Sequence, residues 1–220
     1  RTYKNPVGPD GKRKRGRPAK NVVKQAEANE MLQYHLEHDS NETEAERVKR
    51  IAERFTVMYK LTQGAINGAV RSLIVSGAPG TGKSHTINHL LNQAHDRQAI
   101  RYELVGGANV TGINLYKLLF RMQNENDIIL MDDSDSIYGD ETTMNLMKVA
   151  LDTTPTRKLS WLSESAVLKA EDIPQSFEYK GSMIFITNKD FQGIVDLGRS
   201  ALAPHFNALM SRSIYLDLKL

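Results

Sequence analysis

The chain has 220 residues, a formal charge of +3, no cysteine, and 40% hydrophobic against 25% charged residues. This is globular composition with room for one substantial α/β core, and it excludes a wholly disordered chain, a disulfide framework and thiolate chemistry. No apolar run approaches the roughly 18–20 residues that span a bilayer and no signal-peptide core opens the chain, so a soluble, cytoplasmic protein without a membrane partner is expected.

Residues 1–21 mix Pro6, Gly8, Pro9, Gly11, Gly16 and Pro18 with basic residues and predict an extended arm. Eight of the 29 Lys/Arg and one of the 26 acids fall in residues 1–20, so this stretch carries +7 and the rest of the chain −4. A basic arm on a mildly acidic body points to an anionic polymer as partner of the arm alone. The chain opens on Arg1 rather than Met, so a missing or processed start is expected. Residues 22–68 read as a helical lead-in. Ala26, Met31, Leu32 and Leu36 form a weak apolar stripe; Val48, Ile51, Ala52, Phe55, Met58 and Tyr59 form a stronger one at helical spacing. Residues 41–44 supply a cap for that second helix, and Gly64 and Gly68 its end.

Residues 69–220 read as the main domain, in which apolar runs alternate with helical stretches. Strands are predicted at Ser72–Ser76, Ile100–Val105, Asp127–Met131, Met183–Thr187 and Ser213–Leu218. Helices are predicted at Lys83–His95, Asn114–Met122 and Thr142–Leu151, with further helix inside Gly193–Leu209. Strand–helix alternation implies right-handed βαβ units and a mostly parallel sheet. Residues 156–181 fit no simple unit, apart from a short extra strand at Lys158–Leu162.

The strongest motif is Gly77-Ala78-Pro79-Gly80-Thr81-Gly82-Lys83-Ser84, followed by His85. It lies between a predicted strand and a predicted helix, the context a phosphate-binding loop requires. Its glycines let consecutive N–H groups converge on phosphate oxygens, and the helix start adds its positive dipole end. Lys83 is expected to reach the β- and γ-phosphates of ATP, and Ser84 to hold Mg2+. Downstream, the apolar run Ile128–Met131 ends in Asp132 and Asp133. Asp132 is expected on Mg2+, and Asp133 where a base would polarise the attacking water.

The loop Gly-Ala-Pro-Gly-Thr-Gly-Lys-Ser resembles the Walker A of AAA+ ATPases, and the motif order from about residue 45 to 220 follows that family. The resemblance implies a three-layer αβα P-loop NTPase domain, with five strands in the order 5-1-4-3-2, and hydrolysis at the interfaces of a homo-oligomeric ring, expected as a hexamer. In that pattern Asn188 is the polar sensor at the tip of the fourth strand. Arg212, in Asn207–Arg212, is similar to the Ser-Arg motif of clamp loaders and becomes the arginine-finger candidate, with Arg199 in reserve. The competing reading of Arg212 is a helix-end cap. Two departures stand out. The usual Asp-Glu is Asp132-Asp133 here, which retracts one carboxylate by a methylene and leaves Asp135 as a spare base. The sequence stops at Leu220, straight after the fifth strand, without the family's small helical lid: either the chain is incomplete here or the lid is dispensed with. The loop Gly106–Gly112 carries no aromatic residue at the pore-loop position, which disfavours a protein unfoldase.

The arm contains Lys12, Arg13, Lys14, Arg15, Gly16, Arg17 and Pro18, whose Arg-Gly-Arg-Pro core resembles an AT-hook. Gly16 would let the backbone sit deep in a narrow A·T minor groove with Arg15 and Arg17 along it, and the other cations would contact phosphates. A nonspecific basic tail or a nuclear localisation signal is the plainer reading. Arg157, Lys158 and the single tryptophan, Trp161, form a second candidate polymer contact, against a core tryptophan beside a solvated edge. The expected function is a DNA-associated AAA+ ATPase: a replicative helicase, helicase loader or translocase of phage type, working in the host cytoplasm with other replication proteins. Its alternatives are an ATP-dependent DNA-binding switch with little hydrolysis, and a P-loop small-molecule kinase.

Overall fold

The computed structural model describes residues 43–107, 110–198 and 200–218. Helix α1 (Glu44–Ile66) opens the described chain. Thr43 caps it in a reciprocal box: the Thr43 hydroxyl accepts from the Glu46 N–H, and the Glu46 carboxylate accepts from the Thr43 N–H at 2.9 Å. The helix runs through Gly64, and the left-handed Gly68 (φ 76°) turns the chain into the sheet.

There follow β1 (Ser72–Ser76), α2 (Lys83–Asp96), β2 (Arg101–Gly106), α3 (Gly112–Arg121) and β3 (Asp127–Asp132). A 3-10 turn (Asp135–Gly139) leads to α4 (Glu141–Ala150). Then come β4 (Lys158–Ser160), α5 (Ala166–Ala170), β5 (Ser176–Glu178), β6 (Ser182–Thr187), α6 (Phe191–Leu197), α7 (Ala203–Met210) and β7 (Ile214–Asp217). Five strands form one parallel sheet in the order β2-β3-β6-β1-β7. Counted among these five alone, that order is 5-1-4-3-2 read from the other edge.

The central strands β1, β3 and β6 are buried on both faces, which is why they read as unbroken apolar runs. Their side chains alternate between two cores. Ile74, Ile129, Met131, Met183 and Phe185 pack with Leu115 and Leu119 of α3, Met144 and Met147 of α4, and Phe206 and Leu209 of α7. Leu73, Val75, Ile128, Leu130, Ile184 and Ile186 pack with Met58 and Ala65 of α1 and Ile87, Leu91 and Ala94 of α2. Helices therefore cover both faces of the sheet, and the domain is a three-layer αβα P-loop fold.

Residues 156–181 form an antiparallel pair, β4 with β5, placed between α4 and β6. Leu159 lies opposite Phe177, whose ring meets Tyr116 and Phe120 edge-on at 5.1 and 5.3 Å. Trp161 is half-buried and leans on Tyr116 at 5.6 Å, so it belongs to this apolar cluster. The further helix expected inside Gly193–Leu209 is two helices, parted after the left-handed Gly198 (φ 62°).

Candidate nucleotide site

The loop from Gly77 to Gly82 joins the C-terminal end of β1 to α2. The Gly77 N–H donates to the Thr187 carbonyl at 3.3 Å, tying the loop to β6. A Cβ on Gly77 would come within 3.0–3.1 Å of Leu218, so this position has no room for a side chain. Gly80 (φ 78°) and Gly82 (φ 90°) adopt left-handed backbone, and Thr81 closes the loop by donating to the Ala78 carbonyl at 3.1 Å. Gly82 caps α2 without a side-chain acceptor. The first N–H groups of α2 thus have no side-chain cap, which suits an anion.

Lys83 is buried under the loop. Its ammonium donates to the carbonyls of Gly77 (2.8 Å) and Ala78 (2.7 Å) and to the Asn188 Oδ1 (3.2 Å). Burial pulls its pKa below the ordinary lysine value, with Asp133 and Asp132 pushing the other way. The Ser84 hydroxyl donates to the Asp132 Oδ1 at 3.0 Å. Burial raises the Asp132 pKa and Asp133 adds to it, while Ser84 and Lys83 oppose. Asp133 is exposed and sits in left-handed backbone (φ 49°), its N–H donating to the Ile186 carbonyl. Its Oδ1 accepts from the Asn188 Nδ2 at 3.0 Å. A cleft of about 200 Å3 is lined by Pro79, Gly80, Thr81, Gly82, Lys83, Ser84, His85, Asp133, Ile186 and Asn188.

The structure therefore brings Lys83, Ser84, Asp132, Asp133 and Asn188 to one end of the sheet, around one loop. Ser84 and Asp132 present two hard oxygen ligands side by side, a donor set that fits Mg2+ with retained waters. His85 is exposed on the first turn of α2 and stacks on His89 at 6.3 Å. The sequence pointed to Asn188 beside the phosphates but not to the bridge it forms between Lys83 and Asp133; the adjacency of β3 and β6 produces it.

Arg212 stands apart from this cluster. Its Nη1 donates to the Ala208 carbonyl at 2.8 Å and to the Ser211 hydroxyl at 3.3 Å, and its Nε lies 3.8 Å from the Asp152 carboxylate. It caps the end of α7 within its own chain. Arg157 needs a correction: at 3% exposed it is not a surface cation beside Lys158. Its Nη1 donates to Ala150 and its Nη2 to Gly181, at 2.7 and 3.0 Å, and it lies over the Tyr179 ring at 5.0 Å. Two carbonyls from distant segments hold it inside. Lys158 is exposed. The arm residues 12–18 and Arg199 lie outside the described residues.

No family model matches the chain. An uncharacterised 36.7 kDa protein of Enterobacteria phage T4 is 46% identical over 169 residues, covering 77% of this chain and 51% of that protein. The chain thus spans about half the length of this relative. Among solved structures, the RuvB Holliday junction branch migration motor of Thermotoga maritima matches with a TM-score of 0.43 and 13% identity over 81% of this chain and 45% of that one. NtrX of Brucella abortus matches with a TM-score of 0.44 and 14% identity over 90% of this chain and 42% of that one.

Proposed function

We propose that this chain is an AAA+ ATPase that hydrolyses ATP with Mg2+ and couples hydrolysis to work on DNA. The observation that carries the reading is the cluster at the sheet's C-terminal end: Lys83 bonded to Asn188, Asn188 to Asp133, and Ser84 to Asp132. The loop N–H groups and the Lys83 ammonium bind and orient the phosphates. Ser84 and Asp132 hold Mg2+, which draws charge off the transferred phosphoryl when bound. Asp133 accepts the proton of the attacking water, and Asn188 fixes the Asp133 carboxylate against Lys83. Arg212 reaches the ATP of a neighbouring subunit in a homo-oligomeric ring of six. The basic arm, residues 12–18, and Lys158 contact DNA, in a helicase, helicase loader or translocase that meets other replication proteins. The 46% identity over 169 residues with an uncharacterised protein of phage T4 supports a mobile-element setting.

Steady-state ATP turnover with and without DNA tests this. The chain should hydrolyse ATP in a Mg2+-dependent manner and speed up when DNA is added. Asp132→Asn should keep part of its nucleotide binding and lose Mg2+-dependent turnover; normal turnover in that variant overturns the assignment. A second reading is favoured by Asp133, which is a methylene shorter than the family's usual glutamate and is held by Asn188. In that reading the chain is an ATP-dependent DNA-binding switch, and it binds ATP while turning over almost none, with or without DNA.

A further inference from the structure

The opposite end of the sheet carries a second polar cavity. Arg71 precedes β1, Ser182 opens β6, and Lys180 lies just before it; with Arg157 they line a cavity of about 450 Å3. The phosphate loop follows the other end of β1, so the two sites are separated by that strand, about 17 Å at the usual rise per residue.

The charges in this cavity are not balanced. Arg157 is buried, yet no carboxylate forms an ion pair with it among the described residues; its hydrogen bonds go to two carbonyls. These use two of the five N–H groups of a guanidinium and leave donors for the cavity it lines. Burial pulls its pKa down and Arg71 adds to this, while Tyr179, Asp152 and Glu178 oppose. Among the described residues the Arg71 side chain has a single weak bond, from Nη1 to the Thr154 carbonyl at 3.5 Å. Of the two acids that line the cavity, Glu125 lies 3.9 Å from the Lys180 ammonium, while Glu178 faces Lys158 in strand register only and its charge acts on Arg157 from a distance. A buried guanidinium is costly unless a counter-charge meets it. Planar guanidinium groups match tetrahedral oxyanions through paired N–H bonds.

We propose that this cavity is an oxyanion site that takes a phosphate group, with Arg157 at its floor and Arg71 and Lys180 at its mouth. The group comes either from free phosphate or from the phosphodiester of a nucleic acid. The proposal stands apart from the ATPase reading, because its residues are not those of the phosphate loop.

Inorganic phosphate, titrated into the full chain and followed by thermal unfolding, tests it. Replacing Arg157 could cost the fold, so the exposed mouth is varied instead, as the double variant Arg71→Gln, Lys180→Gln. The wild type and Lys83→Ala should both show a saturable rise in midpoint of about 3 °C or more, and the double variant should lose it. A rise that disappears in Lys83→Ala and survives in the double variant places phosphate at the loop alone and overturns the proposal, as does a flat titration in the wild type. A single-stranded oligothymidylate separates the two sources. If the phosphodiester is the ligand, the double variant binds it more weakly and its log–log salt dependence flattens by about one to two. If free phosphate is the ligand, oligonucleotide binding is unchanged while the thermal shift is lost; both outcomes support the site.

Discussion

Asp127 shows how much one buried acid depends on its partners. It accepts from the Arg101 Nε and Nη2 at 2.9 and 2.7 Å and from the Asn124 N–H and side-chain amide at 2.9 and 3.0 Å. Burial alone would raise its pKa, but Arg101 and Asn124 together hold it below the ordinary aspartate value. A folded pKa below the unfolded one stabilises the domain above about pH 4 and gives that stability up as pH falls through the folded value. Asp127→Asn should lose about 1–2 kcal/mol at pH 7, the Arg101 end being solvent-screened, and should shrink the loss between pH 7 and pH 3. Urea midpoints at the two pH values check this; an unchanged acid dependence refutes it. The phosphate loop was legible because its backbone demands named residue types at fixed spacing. Arg157 was misread for the opposite reason. Within the polar run around Pro155 and Thr156 an arginine looks solvated, and its partners are carbonyls of Ala150 and Gly181 that no local pattern announces.

At the scale of elements, β1, β3 and β6 were legible as unbroken apolar runs, since a parallel strand buried on both faces has no polar side to show. The β4–β5 pair was half-legible. Each strand has three residues with one buried side chain, Leu159 or Phe177, too short for any period to emerge. Helix α1 is more than a lead-in. Met58 lies fully buried against the same core as Leu73 and Val75, and the Arg54 guanidinium donates to the Asp217 carbonyl at the end of β7. Met58→Ala should therefore cost about 2–4 kcal/mol. A chain beginning at residue 43 should fold and bind nucleotide, whereas one beginning at residue 69 should aggregate or melt without a cooperative transition. If the shorter chain unfolds at the same denaturant midpoint as the longer one, α1 does not belong to the domain.

Across the whole molecule, the proposed nucleotide site draws Lys83, Ser84, Asp132, Asp133 and Asn188 from one chain, and catalysis between subunits would add a cation from a neighbour. Arg212 is the proposed source, supplied to a neighbour, and Asp152 at 3.8 Å is what it must leave. Arg212→Ala should keep ATP binding and lose turnover by the factor of about 10³–10⁵ that such fingers contribute. Mixing it with Lys83→Ala should restore part of the activity, because an Arg212→Ala pocket beside a Lys83→Ala neighbour regains both cations. No recovery on mixing, with full activity in Arg212→Ala alone, would remove interface catalysis. Nucleotide binding at the phosphate loop underlies every one of these roles, and equilibrium titration of the full chain with a fluorescent ATP analogue and Mg2+ reads it. Saturable binding in the wild type, abolished in Lys83→Ala, is the predicted result; equal affinity in the two proteins would contradict it.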